Sequence, residues 1–128
     1  MTHPTIADYM TASPHTIGLE QTLSNASRRM HEHGIRHLPV LHGGELRGIL
    51  SSRDIALVEA LDGADPETVT VEEAMSAETY VVAPTETLAS VVGTMADRKY
   101  GAAVVMIGRE VVGIFTTIDA LRALRERL

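Results

Sequence analysis

The 128-residue chain repeats itself: shifted by 65 positions, it lies over its own sequence without a gap from residue 6 to residue 63. Met10 falls on Met75, Ala12 on Ala77, Thr22 on Thr87, Leu23 on Leu88, Met30 on Met95, Val40 on Val105, Gly48 on Gly113, Ile49 on Ile114 and Asp54 on Asp119. Other pairs exchange like for like, such as Ile17 with Val82 and Ser51 with Thr116. A unit of roughly 60 residues buries too little surface to be comfortably stable alone, so the copies are expected to pack as one module about a pseudo-twofold axis. The expected boundaries are residues 1–63 for the first repeat, 64–70 for a linker and 71–128 for the second, with Asp62-Gly63-Ala64-Asp65-Pro66 supplying linker composition.

Both copies read as β-α-β-β-α, which places the chain in the α/β (α+β) class. Pro14 to Ile17 and Thr79 to Val82 suit short extended segments. Leu23, Ala26 and Met30, echoed by Leu88, Val91 and Met95, have the three- and four-residue spacing of a helix face. Thr22 and Thr87 stand where a helix cap is wanted. Apolar runs flank Gly43-Gly44 and Gly108-Arg109, predicting hairpins. A two-residue turn would pair His42 with Glu45 and Arg36 with Ser51, and in the second copy Gly101 with Thr116. Final helices are expected from Ser52 to about Leu61 and from Thr117 to about Leu128.

Composition narrows the function classes. Eleven Lys and Arg against seventeen Asp and Glu give a net charge of -6, and only 3% of residues are aromatic. That disfavours binding to nucleic acid, to an anionic membrane or to stacked bases. The absence of cysteine excludes disulfides, thiolate metal sites and a cysteine nucleophile. Residues 1–10 hold Asp8 and no apolar stretch, and the longest apolar run, Ala102 to Ile107, is too short for a bilayer, so a soluble cytoplasmic protein is expected. There is no Walker loop, nucleophile elbow or Rossmann glycine pattern, and the chain is read as a non-enzyme.

The phrase with chemical content is written twice, as Gly48-Ile49-Leu50-Ser51-Ser52-Arg53-Asp54 and Gly113-Ile114-Phe115-Thr116-Thr117-Ile118-Asp119. A hydroxyl three residues before an aspartate is a helix capping box. It is also a plausible ligand site, because a helix start offers amide N–H groups to a phosphate and a carboxylate can bind two adjacent ribose hydroxyls.

The chain resembles a tandem pair of CBS domains, a Bateman module, here as a stand-alone protein. The resemblance rests on Ile6-Ala7-Asp8-Tyr9-Met10 with Val71-Glu72-Glu73-Ala74-Met75, on Gly34-Ile35-Arg36-His37-Leu38-Pro39-Val40-Leu41, and on the two Gly-Ile-x-(Ser/Thr)-x-x-Asp phrases. It implies adenosyl ligands such as AMP, ADP, ATP or S-adenosylmethionine, bound in clefts between the repeats as regulatory ligands. By that resemblance Asp54 and Asp119 would hold ribose, and Ser51 and Thr116 would lie beside ribose or phosphate. Thr16, Ile17, Val82 and Ala83 would border adenine. Arg36, His37 and Arg53 would meet phosphate, and their counterparts Gly101, Ala102 and Ile118 lack those nitrogens. The first copy is therefore expected to prefer charged nucleotides. Partners implied are a second copy of the chain, with Ile118, Leu121, Leu124 and Leu128 on one helical face, and an unidentified effector protein.

Two other readings stand beside this one. In the first the boxes are only caps, and the chain is a ligand-independent dimerisation or interaction module. In the second His31, His33, His37 and His42 serve a metal-binding stress protein. Against it, His31 and His33 are two apart on a helix and lack the i, i+4 spacing of a helical metal pair, so no metal site is expected.

Overall fold

The computed structural model describes residues 3–128. Met1 and Thr2, part of the segment read as free of a signal sequence, lie outside the described residues. In chain order the elements are α1 (Ile6–Tyr9), β1 (Thr11–Ala12), β2 (Ile17–Gly18), α2 (Leu23–His33), β3 (His37–His42), β4 (Glu45–Ser51), α3 (Ser52–Glu59), α4 (Val71–Ala74), β5 (Val81–Val82), α5 (Leu88–Arg98), β6 (Ala102–Ile107), β7 (Glu110–Thr116) and α6 (Thr117–Arg127). No helix of the described residues is long and apolar enough to cross a membrane.

The chain forms two compact units that cut across the sequence repeats: His15–Thr79, called the Asp54 unit, and Met1–Pro14 with Tyr80–Leu128, called the Asp119 unit. The cause is the short helix that opens each repeat. Fully buried Ile6 of α1 joins the core of Val82, Leu88, Val91 and Phe115, whereas fully buried Val71 of α4 joins Leu23, Ala26, Leu38 and Leu50. Equivalent backbone bonds fix both: Ile6 N–H donates to Glu86 O at 2.9 Å, and Val71 N–H to Gln21 O at 2.8 Å. Residues 64–70 also hold to the Asp54 unit, since Leu23 N–H donates to Val69 O and Ser24 N–H to Pro66 O, each at 3.0 Å.

The Asp54 unit has a three-stranded sheet ordered β2-β3-β4, and the Asp119 unit a four-stranded one ordered β1-β7-β6-β5. Thr22 caps α2 by accepting from Asn25 N–H, and Thr87 caps α5 by accepting from Ser90 N–H, each at 3.2 Å. The hairpins turn where expected, with His42 opposite Glu45 and Ile107 opposite Glu110. Their far ends are one residue out of the expected register. A bulge between Val40 and Leu41 leaves Arg47 without a partner, so His37, and not Arg36, faces Ser51; the same irregularity at Val105 and Met106 sets Ala102, and not Gly101, opposite Thr116.

The motif glycines next to these bulges admit a neighbouring backbone. A Cβ on Gly113 would stand 2.6 Å from Met10 Sδ and 3.1 Å from Thr11 O, and one on Gly48 would overlap Ser76 O and stand 2.9 Å from Met75 Sδ. Thr11 pairs with Ile114 in β1–β7, and Ile49 exchanges two backbone bonds of 3.0 Å with Ser76. Each unit therefore straps a Met-Thr or Met-Ser segment flat against the strand that leads into its motif helix.

Candidate functional site

In the Asp54 unit, β4 runs directly into α3, and the junction is a capping box. Ser51 N–H donates to Asp54 Oδ2 at 2.8 Å, and Asp54 N–H donates to Ser51 Oγ at 3.1 Å. The Ser51 hydroxyl accepts, so its own proton remains available. Asp54 is half-buried, and its Oδ1 has no hydrogen-bond partner among the described residues. The helix start is less open to a phosphate than the sequence suggests. Ser52 N–H donates to Arg36 O at 2.9 Å and Asp54 N–H serves the cap, which leaves the Arg53 N–H without a partner among the described residues.

The basic residues expected here divide into two kinds. Arg36 and Arg53 are exposed, and neither side chain has an ion-pair partner among the described residues. His37 is half-buried, and burial pushes its imidazole below its ordinary value; Arg36 pushes the same way, and Asp54 pulls it partly back. At neutral pH His37 is neutral and offers a hydrogen bond without charge. Thr16 and Ile17 sit at the entry to β2, where the Thr16 carbonyl accepts from the Arg29 guanidinium. A cleft of about 470 Å³ opens on the helical side of the unit, lined by apolar Met30, Ile35 and Ile55 and by polar residues that include His31, Arg36, Ser52 and Glu59. Of the candidate nucleotide-site residues only Arg36 lines it.

The Asp119 unit builds the same junction and fills it. Thr116 N–H and the Thr116 hydroxyl both donate to Asp119 Oδ2, at 2.9 and 3.2 Å. Oδ1 accepts from Thr11 Oγ1 at 3.3 Å and lies 3.7 Å from Arg122 Nη1. Asp119 is buried, at 4% exposure. Val82 is buried in β5, and both polar groups of the Ala83 backbone are engaged: its N–H donates to Glu86 Oε2 at 2.7 Å, and its carbonyl accepts from Glu86 N–H at 3.1 Å. Ile118 is exposed where the other unit has Arg53.

Thr11, Arg122 and Glu86 do not emerge from sequence reasoning as site residues, although the offset of 65 places them over Ser76, Leu57 and Gln21 and so marks each as a difference between the copies. The histidines are dispersed. His33 stacks on His15, with centroids 3.6 Å apart and planes 12° from parallel, and His42 Nδ1 lies 3.8 Å from Glu20 Oε2. No group of three or more His, Asp or Glu suited to a metal ion occurs among the described residues.

The family profile of the CBS domain matches this chain twice, over residues 6–60 and 71–126, so the protein belongs to the CBS domain family and carries a tandem pair. Among its relatives, hypoxic response protein 1 of Mycobacterium tuberculosis is 31% identical over 123 residues, covering 95% of this chain and 86% of that protein. Two solved structures share the fold. The CBS domain pair of protein MJ0100, in complex with 5′-methylthioadenosine and S-adenosyl-L-methionine, superposes with a TM-score of 0.90 at 26% identity, over 99% of this chain and 100% of that one. Hypoxic Response Protein I, with two coordinated zinc ions, gives a TM-score of 0.79 at 31% identity, over 92% of this chain and 97% of that one.

Proposed function

We propose that this protein is a cytoplasmic regulatory module, not an enzyme, that binds an adenosyl ligand of the class AMP, ADP, ATP or S-adenosylmethionine. The observation that carries the reading is Asp54: a half-buried carboxylate at a strand-to-helix junction, oriented through Oδ2 by Ser51 N–H, with Oδ1 free to accept from a ribose diol. The ligands in the MJ0100 complex, both adenosyl compounds, support the same class. Ser51 would donate its free hydroxyl proton beside the ribose. Arg36 and Arg53 would meet phosphate, Arg53 also through its free N–H, and neutral His37 would add an uncharged donor. Thr16 and Ile17 would border adenine. In the second copy the corresponding residues are Asp119, Thr116, Val82 and Ala83.

The protein would signal through a second copy of itself or an effector protein. Ile118, Leu121 and Leu124 along α6 and Leu128 just after it are all about half exposed or more, as are Leu57 and Leu61 in and after α3, which suits a homodimer of twice 13.8 kDa by light scattering. Ligand binding is tested by thermal unfolding with each of the four adenosyl compounds. Any that binds the folded protein raises the midpoint with concentration, and no shift with all four would leave the ligand-independent interaction module.

A further inference from the structure

Asp119 has both carboxylate oxygens engaged by groups of its own unit, and two of those groups explain why Asp54 does not. Thr11 and Arg122 share Oδ1. The repeat places Ser76 where Thr11 stands, and the Ser76 hydroxyl donates instead to Glu78 O at 3.2 Å. It places Leu57 where Arg122 stands, and Leu57 is apolar and exposed. These two exchanges between the copies thus accompany the change from a filled carboxylate to an open one.

The filling groups also have the right chemistry. A ribose diol presents hydroxyl donors to a carboxylate, and Thr11 presents a hydroxyl donor to the same oxygen, with a guanidinium adding charge beside it. Thr11 lies on the two-residue strand β1, at the edge of its sheet, brought close because Gly113 has no side chain. A substitute donor on a short edge strand can be removed without disturbing the core, which is built from Ile6, Val82, Val91 and Phe115.

We infer that Thr11 and Arg122 form a built-in plug that occupies the ribose position at Asp119, so that each chain takes one adenosyl ligand, at Asp54. This inference rests on the proposed function, and its test separates the two. AMP and adenosine are titrated calorimetrically into the full-length wild type, Thr11→Ala/Arg122→Ala, Thr11→Val and Asp54→Ala, with circular dichroism and the unfolding midpoint of each variant recorded. The expected wild-type stoichiometry is one per chain. Thr11→Ala/Arg122→Ala should add a second site that persists when Asp54→Ala is combined with it, while Thr11→Val, which keeps the bulk, should add less or none. The reciprocal pair, Ser76→Thr/Leu57→Arg, should weaken the Asp54 site by roughly tenfold, the scale of one charge-assisted contact. Two sites in the wild type, or one site in both the wild type and the folded double variant, would overturn the plug and leave the proposed function intact. No binding in the wild type with one site in the double variant would support the plug and refute binding at Asp54, and no binding in any variant would overturn both.

Discussion

Asp54 and Asp119 occupy the same position in two copies of one fold, end the same motif and accept the same hydrogen bond from the backbone N–H three residues earlier, at 2.8 and 2.9 Å. They differ in what surrounds the rest of the carboxylate. Asp54 is half-buried with one oxygen open, whereas Asp119 is buried and engaged on both. The capping role is common to both and says nothing about ligand. Whether a capped aspartate can also bind a diol depends on residues outside the motif, here Thr11 at a separation of 108 and Arg122 three residues on along the helix. At the motif, the Asp119 copy engages both carboxylate oxygens from within its unit, and the Asp54 copy leaves Oδ1 open among the described residues.

The sharpest way to break this comparison is to remove each carboxylate and measure unfolding in denaturant. Asp119→Ala strips a buried group from Thr11, Thr116 and Arg122 and should cost about 1.5 to 3 kcal/mol. Asp54→Ala removes a cap partner only and should cost about 1 kcal/mol. Equal costs would mean that the two environments are energetically alike.

Next in size is the phosphate contrast. Arg36→Ala should weaken AMP about ten- to a hundredfold and leave adenosine nearly unchanged, because the guanidinium has no ion-pair partner of its own among the described residues to lose. Equal losses for the two ligands would mean that Arg36 acts through packing.

A smaller effect sharpens the comparison at the end of the first long helix of each unit. Both α2 and α5 stop on a left-handed residue, Gly34 at φ 62° and Lys99 at φ 61°. A Cβ makes that conformation costly, so Lys99→Gly should stabilise the protein by about 1 kcal/mol and Gly34→Lys should destabilise it by a similar amount.

The smallest difference is one of pH. His37 has Ala102 as its counterpart, so only the Asp54 unit carries this titrating group. Burial lowers its folded value below the ordinary 6.5, so the unfolded chain takes up the proton first as the pH falls. Its contribution to stability is therefore unchanged above that value, declines as the pH drops from 6.5 toward the folded value, and levels off below it. His37→Gln should remove that part of the pH dependence from a series of unfolding curves; an unchanged profile would mean that the imidazole is not burdened by burial.

Much of this was legible in the sequence. The repeat, the helix faces of Leu23-Ala26-Met30 and Leu88-Val91-Met95, the caps Thr22 and Thr87 and the two-residue turns all follow local rules of spacing and residue type. The hairpin register was not, because a bulge adds one residue without a composition signal of its own, and Arg47 and Val112 look like ordinary strand residues. The unit boundaries were hidden for a different reason. The sequence repeat records how the gene is written, while α1 and α4 pack where Ile6 and Val71 find an apolar seat. At the candidate sites the Ser51-Asp54 and Thr116-Asp119 boxes could be read from a spacing of three. The engagement of Asp119 by Thr11 could not, since it is a tertiary contact between residues with no pattern linking them.

The most direct test is calorimetric titration of AMP into the wild type, Asp54→Ala and Asp119→Ala at matched protein concentration. The expected result is one site per chain in the wild type, lost or weakened at least about tenfold in Asp54→Ala and retained in folded Asp119→Ala. Binding that survives unchanged in Asp54→Ala, or that disappears in Asp119→Ala alone, would contradict the assignment of the ligand to the open carboxylate.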